Sequence, residues 1–133
     1  MTTGDSWGKI GSCNVAGLTN EKMKFYRTNF EKFEIMCLQE THGAENNCKS
    51  RIAKLGFHKG SFSLHSKAIR GSAILWRDSV TQIGQAWRDP NGRIAAVILQ
   101  SKDGQKALVV SVYAPNVDPS ANSQANYYSF CLT

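Results

Sequence analysis

The sequence of 133 residues has no apolar run long enough to span a bilayer, and its start, MTTGDSWGKI, lacks the hydrophobic core of a signal peptide. We therefore expect an intracellular protein with no membrane partner. The four cysteines, at positions 13, 37, 48 and 131, form no CxxC pair. Free thiols are favoured over a zinc site or a disulfide framework. The length fits one globular domain, residues 1–133.

Acidic residues are scarce: the sequence has 10 aspartates and glutamates, compared with 16 lysines and arginines. The net charge is +6 and the sequence pI is about 9.3. This balance has two explanations that composition alone leaves open. One is a polyanionic partner, nucleic acid first, and the other is a surface charge that only keeps the protein in solution.

Hydrophobic periodicity in the first 56 residues predicts two strand–helix pairs. KIGSCNV (9–15) and the almost wholly apolar FEIMCLQ (33–39) are typical of strands, the second covered on both faces. Asn20 can cap a helix whose apolar face carries Met23, Tyr26, Phe30 and Phe33. A second helix is predicted from about Ala44 to Leu55, with Gly56 ending it.

The rest of the chain is dominated by strand patterns. Two turn signals, DPNG at 89–92 and DG at 103–104, predict hairpins, and NSQANYYSFCLT at the end predicts a helix. The order predicts an α+β fold, a mixed sheet with helices on one face. The predicted strands lie at 57–63, 72–76, 80–87, 93–100 and 106–112.

Polar side chains follow three of the apolar strands. Glu40 ends MCLQE, Asn14 ends KIGSCN, and Tyr113 and Asn116 follow KALVVSV. Strand ends of layered α/β proteins deliver functional groups to a common edge, and a glutamate near an asparagine suits a hard cation such as Mg²⁺. The same residues also have simpler explanations. Glu40 can be an ordinary solvated residue, Asn14 can merely end a strand, and Tyr113 can be a core residue whose hydroxyl reaches water. The pattern alone does not decide between these explanations.

Taken together, four segments are more specific. CNVAGLTNEKMKFY, IMCLQETHG, RGSAILW and VVSVYAPN follow one another in the order and approximate spacing of the endonuclease/exonuclease/phosphatase superfamily. The sequence most resembles the apurinic-type endonuclease domains of non-LTR (LINE-type) retrotransposons, which are related to exonuclease III. The resemblance covers the chain from Ile10 onward.

This resemblance implies the N-terminal part of a four-layered α/β sandwich that hydrolyses phosphodiester bonds of DNA with Mg²⁺ or Mn²⁺, in the nucleus. Glu40 matches the metal-binding glutamate of the superfamily, and Asn14 matches the asparagine beside it. Tyr113 matches the tyrosine near the scissile phosphate, and Asn116 matches the asparagine of the same motif. His42 is interpreted as structural.

The sequence also departs from the superfamily pattern, because it contains neither the Gly-Asp-x-Asn nor the Ser-Asp-His motif of the second half. We therefore expect a truncated domain that is inactive or nearly so alone. It should need its missing half, or another copy bound through an uncovered sheet face. The alternatives are a non-catalytic relic, a nucleic-acid-binding fragment, or another phosphodiesterase or phosphatase of the superfamily.

Basic residues around the predicted edge are candidate contacts for nucleic acid. Lys67 and Arg70, before GSAILW, are the preferred phosphate contacts. Arg88 and Arg93 flank the DPNG turn. They are interpreted as surface residues of a hairpin at the opposite end of the fold, without a role in binding nucleic acid.

Overall fold

The structure is a computed structural model that describes residues 7–115. Seven strands and two α-helices follow the predicted order, and a short 3₁₀ turn at Asn20–Lys22 precedes the first helix. The strands are β1 (Lys9–Asn14), β2 (Phe33–Gln39), β3 (Lys59–Ser63), β4 (Ser72–Trp76), β5 (Thr81–Arg88), β6 (Ile94–Gln100) and β7 (Lys106–Val112), and the helices are α1 (Met23–Phe30) and α2 (Glu45–Lys54).

Two sheets make up the described fold. The first has the strand order β1-β2-β4-β3, with β1 parallel to β2 and the other neighbours antiparallel. The second is an antiparallel sheet in the order β5-β6-β7, built from the two predicted hairpins. The predicted α+β fold with a mixed sheet is therefore confirmed.

The centre of strand β2, residues 35–38, is apolar because it is covered on both faces. Ile35 and Cys37 pack towards the second sheet, in a core with Ile74, Val97 and Leu99. Met36 and Leu38 point the other way, into a core with side chains from both helices. Alternate residues of a strand face opposite sides, so an uninterrupted apolar segment is what a central layer requires.

The predicted helices are present, with two local differences. Thr19 occupies the N-cap position before the 3₁₀ turn, so the α-helix begins at Met23 rather than directly after Asn20. Phe33 belongs to β2 and not to the helix, although its spacing from Phe30 fits a helical face. Pairing of β2 with β1 from Phe33 onward overrides that local spacing.

The outer face of the second sheet is apolar and exposed. Leu108 is 68% exposed and Trp87 58% exposed, and Ile98, Val110 and Val112 share their face by cross-strand register. The described residues thus form three layers: the helices, the mixed sheet and the antiparallel sheet. The predicted C-terminal helix and Asn116 lie outside the described residues. No helix within residues 7–115 has both the length and the apolar character needed to cross a membrane.

Candidate functional site

Glu40 directly follows β2, at the edge of the mixed sheet. Its backbone takes a left-handed conformation, with φ 56°, which turns the chain out of the strand. Its carbonyl accepts the N–H of Gly17 at 2.7 Å, and the carbonyl of Thr41 accepts the N–H of Leu18 at 2.9 Å. The loop after β1 is therefore joined to the loop after β2 by backbone hydrogen bonds, and the ends of the two parallel strands meet as predicted.

Asn14 ends β1 and pairs in register with Gln39, the residue before Glu40. Its Oδ1 accepts the N–H of Ala16 at 3.0 Å, closing a turn in which Ala16 has φ 49°. The amide of Asn14 thus shapes the loop that runs beside Glu40. The oxygen keeps a second lone pair beyond this bond.

Tyr113 reaches the same edge from the end of β7. Its phenol lies close to the Glu40 carboxylate. Burial, followed by this contact and the negative charge of Glu40, raises the pKa of Tyr113. The phenol therefore stays protonated at neutral pH and can donate a hydrogen bond to an anionic oxygen.

Arg93 lies against Tyr113, next to β7. The N–H of Tyr113 donates to the carbonyl of Arg93 at 2.7 Å, and Nη1 of Arg93 donates to the carbonyl of Tyr113 at 3.3 Å. The guanidinium carbon is 5.8 Å from the centre of the Tyr113 ring. Burial, followed by the nearby positive charge of Arg70, lowers the pKa of Arg93.

Arg70 also lies at this edge. Its carbonyl accepts the N–H of His42 at 2.8 Å, and its charge is close enough to act on both Arg93 and Tyr113. Two guanidinium groups and one carboxylate therefore act on the phenol of Tyr113. Like charges held near each other repel, and an anion bound between them relieves that repulsion.

The placement of the DPNG hairpin corrects the sequence interpretation. The hairpin was expected at the opposite end of the fold, but the carbonyl of Gly92 accepts the N–H of Gly71 at 3.0 Å, and that of Arg93 accepts Ser72 Oγ at 2.9 Å. It therefore lies at the edge that carries Glu40, and Arg93 with it. Arg88 points elsewhere, with its Nη1 3.7 Å from Glu45 Oε1.

One signal in the sequence could have identified Arg93. The β6–β7 hairpin turns at Asp103–Gly104, and its register pairs Ile94 with Val112. One residue farther from the turn on each strand, Arg93 lies opposite Tyr113. A tyrosine already assigned to the site therefore indicates which arginine accompanies it.

Lys67 and His42, the other residues considered in the sequence, lie on neighbouring loops. Lys67 is exposed on the loop between β3 and β4, and its backbone N–H donates to His65 Nδ1 at 3.0 Å. No contact described in residues 7–115 joins Lys67 to Glu40 or Tyr113. His42 is half-buried, and a Cβ on Gly17 would lie 3.2 Å from its Nδ1, so its ring packs against the loop after β1.

Glycine 71 holds the loops of this edge together. Its φ is +104°, and a Cβ built on it would lie 2.1 Å from Thr41 Oγ1. Its carbonyl accepts the N–H of Thr41 at 3.2 Å, while its own N–H bonds to the DPNG hairpin. Only a residue without a side chain allows this approach, which sets the position of Glu40 relative to Arg93.

A candidate metal site must rest on few ligands. Among residues 7–115, no three side chains of the types His, Cys, Asp or Glu are grouped where they could hold an ion. One carboxylate with a neighbouring amide oxygen fits a hard cation that keeps most of its water, and does not fit a closed site for zinc.

No protein-family model matches the sequence, and no curated protein matches it. Solved structures do match the fold. The AP endonuclease of Leishmania major superposes with a TM-score of 0.60 at 18% identity, over 87% of this chain and 42% of that one. The catalytic domain of APE2 from Xenopus laevis gives 0.62 at 18% identity, over 91% and 50%.

A third neighbour is the 3′ phosphatase NExo from Neisseria, in a complex with a product DNA hairpin, with a TM-score of 0.60 and 20% identity. The match covers 92% of this chain and 49% of the NExo chain. The chain therefore spans about half the length of these structures. All three neighbours are members of the endonuclease/exonuclease/phosphatase superfamily. These structures share the fold of this chain over about half of their own length, which confirms the fold that the sequence resemblance implied.

Proposed function

We propose that this chain carries one half of the active site of a divalent-metal-dependent DNA endonuclease of the retrotransposon type. The observation that carries this proposal is the grouping of Glu40, Tyr113, Arg70 and Arg93 at one sheet edge, with Asn14 ending the strand beside it. The retrotransposon type rests on the sequence resemblance. DNA as the substrate is supported by the structural neighbours, one of which was solved with a DNA product.

In this proposal Glu40 and the Asn14 amide oxygen hold Mg²⁺ or Mn²⁺. The ion, when bound, polarises a phosphoryl oxygen and offsets negative charge that develops in the transition state. A single carboxylate leaves most of the coordination sphere to water and to the substrate phosphate, which is the usual mode for Mg²⁺. Affinity for the metal without DNA is therefore expected to be weak.

The remaining side chains act on the phosphate itself. The guanidinium groups of Arg70 and Arg93 neutralise its charge and orient it, and this contact carries little sequence information. The phenol of Tyr113 keeps its proton because its pKa is raised, so it can donate to a phosphate oxygen. Lys67, exposed on the neighbouring loop, would contact the backbone farther along the strand.

Catalysis by this polypeptide alone is not expected. The Gly-Asp-x-Asn and Ser-Asp-His motifs, which the resemblance assigns to the attacking water and the phosphate, do not occur in its sequence. When groups act as a unit, the loss of a single member can remove nearly as much activity as the loss of all of them. The second half of the site is proposed to come from the part of the sandwich that this chain does not supply.

Binding tests this proposal independently of turnover. Fluorescence anisotropy with a short labelled duplex should show binding that weakens steeply with salt. Replacing both Arg70 and Arg93 with Ala should weaken it about tenfold or more, since each phosphate contact contributes to affinity. Arg88→Ala is the matched control, because Arg88 pairs with Glu45 away from the site. Equal losses in the control and the double variant would contradict the assignment.

Metal binding and cleavage are measured separately. Mn²⁺ binding, followed by electron paramagnetic resonance, should be reduced by Glu40→Gln and unchanged by Glu45→Gln, which alters an exposed carboxylate on α2. Supercoiled plasmid with Mg²⁺ should not be nicked above the level of the Glu40→Ala variant. Nicking that Glu40→Ala abolishes would show that the chain is active alone. Binding without metal dependence would favour the alternative of a nucleic-acid-binding fragment.

A further inference from the structure

Three consecutive carbonyl groups of the loop after β1 bind one side chain, that of Lys22. The ammonium nitrogen of Lys22 lies 3.0 Å from the carbonyl oxygen of Val15, 2.9 Å from that of Ala16 and 3.3 Å from that of Gly17. An ammonium group has three N–H donors and no acceptor, so the number of carbonyls equals the number of donors. No ion pair among residues 7–115 includes Lys22, so its charge is offset there by these carbonyls rather than by a carboxylate.

Lys22 counteracts an unfavourable backbone conformation. φ is 49° at Ala16 and 90° at Gly17, both in the left-handed region. Glycine adopts this conformation freely, whereas a residue with a Cβ adopts it only at a cost in free energy. Carbonyl oxygens that converge on one place also repel one another, and a cation placed between them replaces that repulsion by charge-assisted hydrogen bonds. The ammonium of Lys22 therefore stabilises a loop conformation that Ala16 by itself disfavours.

The N–H groups of the same loop contact both candidate metal ligands. The N–H of Gly17 donates to the carbonyl of Glu40 at 2.7 Å, and the N–H of Ala16 donates to Asn14 Oδ1 at 3.0 Å. The loop therefore lies between Lys22, which binds its carbonyls, and the two residues that its N–H groups hold. A change in the loop conformation would alter the position of Glu40 relative to Asn14.

Tyr26 binds the same loop one helical turn farther along the chain. Its hydroxyl donates a buried hydrogen bond of 3.1 Å to the carbonyl of Val15. Lys22 and Tyr26 are four residues apart at the start of α1, so their side chains lie on one face of the helix. The hydroxyl has a single proton to donate and binds one carbonyl, whereas the ammonium joins three. Lys22 therefore has the larger part in fixing the loop.

We propose that Lys22 is a positioning residue of the candidate site: it fixes the loop after β1, and through that loop it sets the position of Glu40 and Asn14. It acts through the backbone and does not itself bind metal or phosphate. The dependence of the loop on Lys22 follows from the hydrogen bonds alone. Its consequence for metal binding rests on the proposed function, so the two effects are measured separately.

Hydrogen exchange of the whole 133-residue chain measures the effect on the loop. Lys22→Met keeps an unbranched side chain and removes the ammonium. The amides of Gly17 and Leu18, which bond to the loop after β2, should exchange about tenfold faster in this variant, because hydrogen bonds to a charged group are lost and the loop opens more often. The amides of β2 should be unaffected. Lys24→Met, which removes an exposed ammonium from α1, is the matched control.

Unchanged exchange of Gly17 and Leu18 in Lys22→Met would overturn the proposal. Equal acceleration in Lys24→Met or throughout β2 would also overturn it, because either result would indicate a general loss of stability. If Lys22→Met fails to fold, as judged by circular dichroism, nuclear magnetic resonance of the unmodified chain decides. Ammonium protons bonded to three carbonyls exchange with water much more slowly than those of an exposed lysine. Lys22 should therefore give an ammonium resonance at neutral pH that Lys24 does not give, and its absence would equally overturn the proposal.

Mn²⁺ binding, followed by electron paramagnetic resonance, measures the consequence for the site. Lys22→Met should weaken it about tenfold, the usual size of effect when a residue that orients a metal ligand is lost. Removal of a positive charge would by itself strengthen the binding of a dication, and Lys24→Met measures that effect. Binding by Lys22→Met as tight as by Lys24→Met would overturn the role of Lys22 in the site. Mn²⁺ binding that does not respond to Glu40→Gln contradicts the proposed function instead, and exchange of the loop amides then still decides the role of Lys22.

Discussion

Gln39 Nε2 donates a hydrogen bond to Ser111 Oγ at 3.0 Å, and this bond joins the two sheets immediately beneath the candidate site. Gln39 precedes Glu40 by one residue, and Ser111 precedes Tyr113 by two. Ser111 Oγ in turn donates to the carbonyl of Leu38 at 3.0 Å, and Gln39 Nε2 also donates to Ser12 Oγ at 3.1 Å. The relative position of Glu40 and Tyr113 thus depends on a small polar network between apolar layers.

Ser111→Ala should therefore destabilise the fold. Ser111 is buried, and its loss leaves both the Gln39 amide and the Leu38 carbonyl without this partner, at a cost of about 1–3 kcal/mol in the free energy of unfolding. Ser12→Ala removes the other bond of the same amide, but Ser12 is exposed and water can replace it. Urea unfolding should show a much smaller loss for Ser12→Ala, and equal losses would contradict the bridging role.

Gly71→Ala should be among the most damaging small substitutions at this edge. The left-handed backbone conformation alone costs about 1–2 kcal/mol for a residue with a Cβ. The contact with Thr41 Oγ1 adds to this. Gly84→Ala is the matched control, because φ there is +71° and no atom lies within 4 Å of the added Cβ. Thermal unfolding should show a clearly larger loss for Gly71→Ala, and a similar loss for both would mean that Thr41 moves aside freely.

Glu40→Gln should lower the pKa of Tyr113 towards its ordinary value. Burial is the first cause of the raised pKa and remains, but the contact with the carboxylate and its charge are removed. Tyrosine absorbance, compared with that of Tyr113→Phe, would isolate this titration. Glu45→Gln, remote from the phenol, should leave it unchanged. A Tyr113 pKa that does not respond to Glu40→Gln would contradict the placement of the two side chains.

The same pKa sets a pH dependence of stability. A folded-state pKa above that of the unfolded chain means that the unfolded chain loses this proton first as pH rises. The stability contributed by Tyr113 is therefore complete below the ordinary tyrosine pKa of about 10 and is lost as pH rises through the raised value. Glu40→Gln should narrow this alkaline window, which urea unfolding at a series of pH values would measure. An identical alkaline profile for the variant would contradict it.

Among the cysteines of the described residues, Cys13 should react first with thiol reagents. Burial raises the pKa of Cys37 to about 11 and also raises the pKa of Cys48, so both hold little thiolate at neutral pH. The pKa of Cys13 is raised by burial too, but this thiol is only half-buried. Alkylation followed by peptide mass spectrometry would rank them, with the urea-unfolded chain as the control. Early modification of Cys37 would contradict its burial between the sheets.

The local pattern of the sequence determined most of the secondary structure. FEIMCLQ, SAILW and KALVVSV correspond to β2, β4 and β7, because an apolar strand bounded by turn residues is encoded within a few positions. That Asn14 and Glu40 come at the ends of neighbouring strands was also predictable, because adjacent parallel strands end at one edge. The roles of these residues, and that of Asn116 beyond the described part, remain predictions.

Tertiary structure alone decided which loops meet. The sequence placed Arg93 at the far end of the fold, whereas stacking of the second sheet on the first brings its hairpin against Gly71. Phe33 fits a helical spacing locally, and strand pairing assigned it to β2. The spacing of apolar residues along the sequence indicates only whether a side chain faces a core. The distance between two loops depends on sheet order and layer stacking, which involve residues far apart in the chain, so no local pattern carries that information.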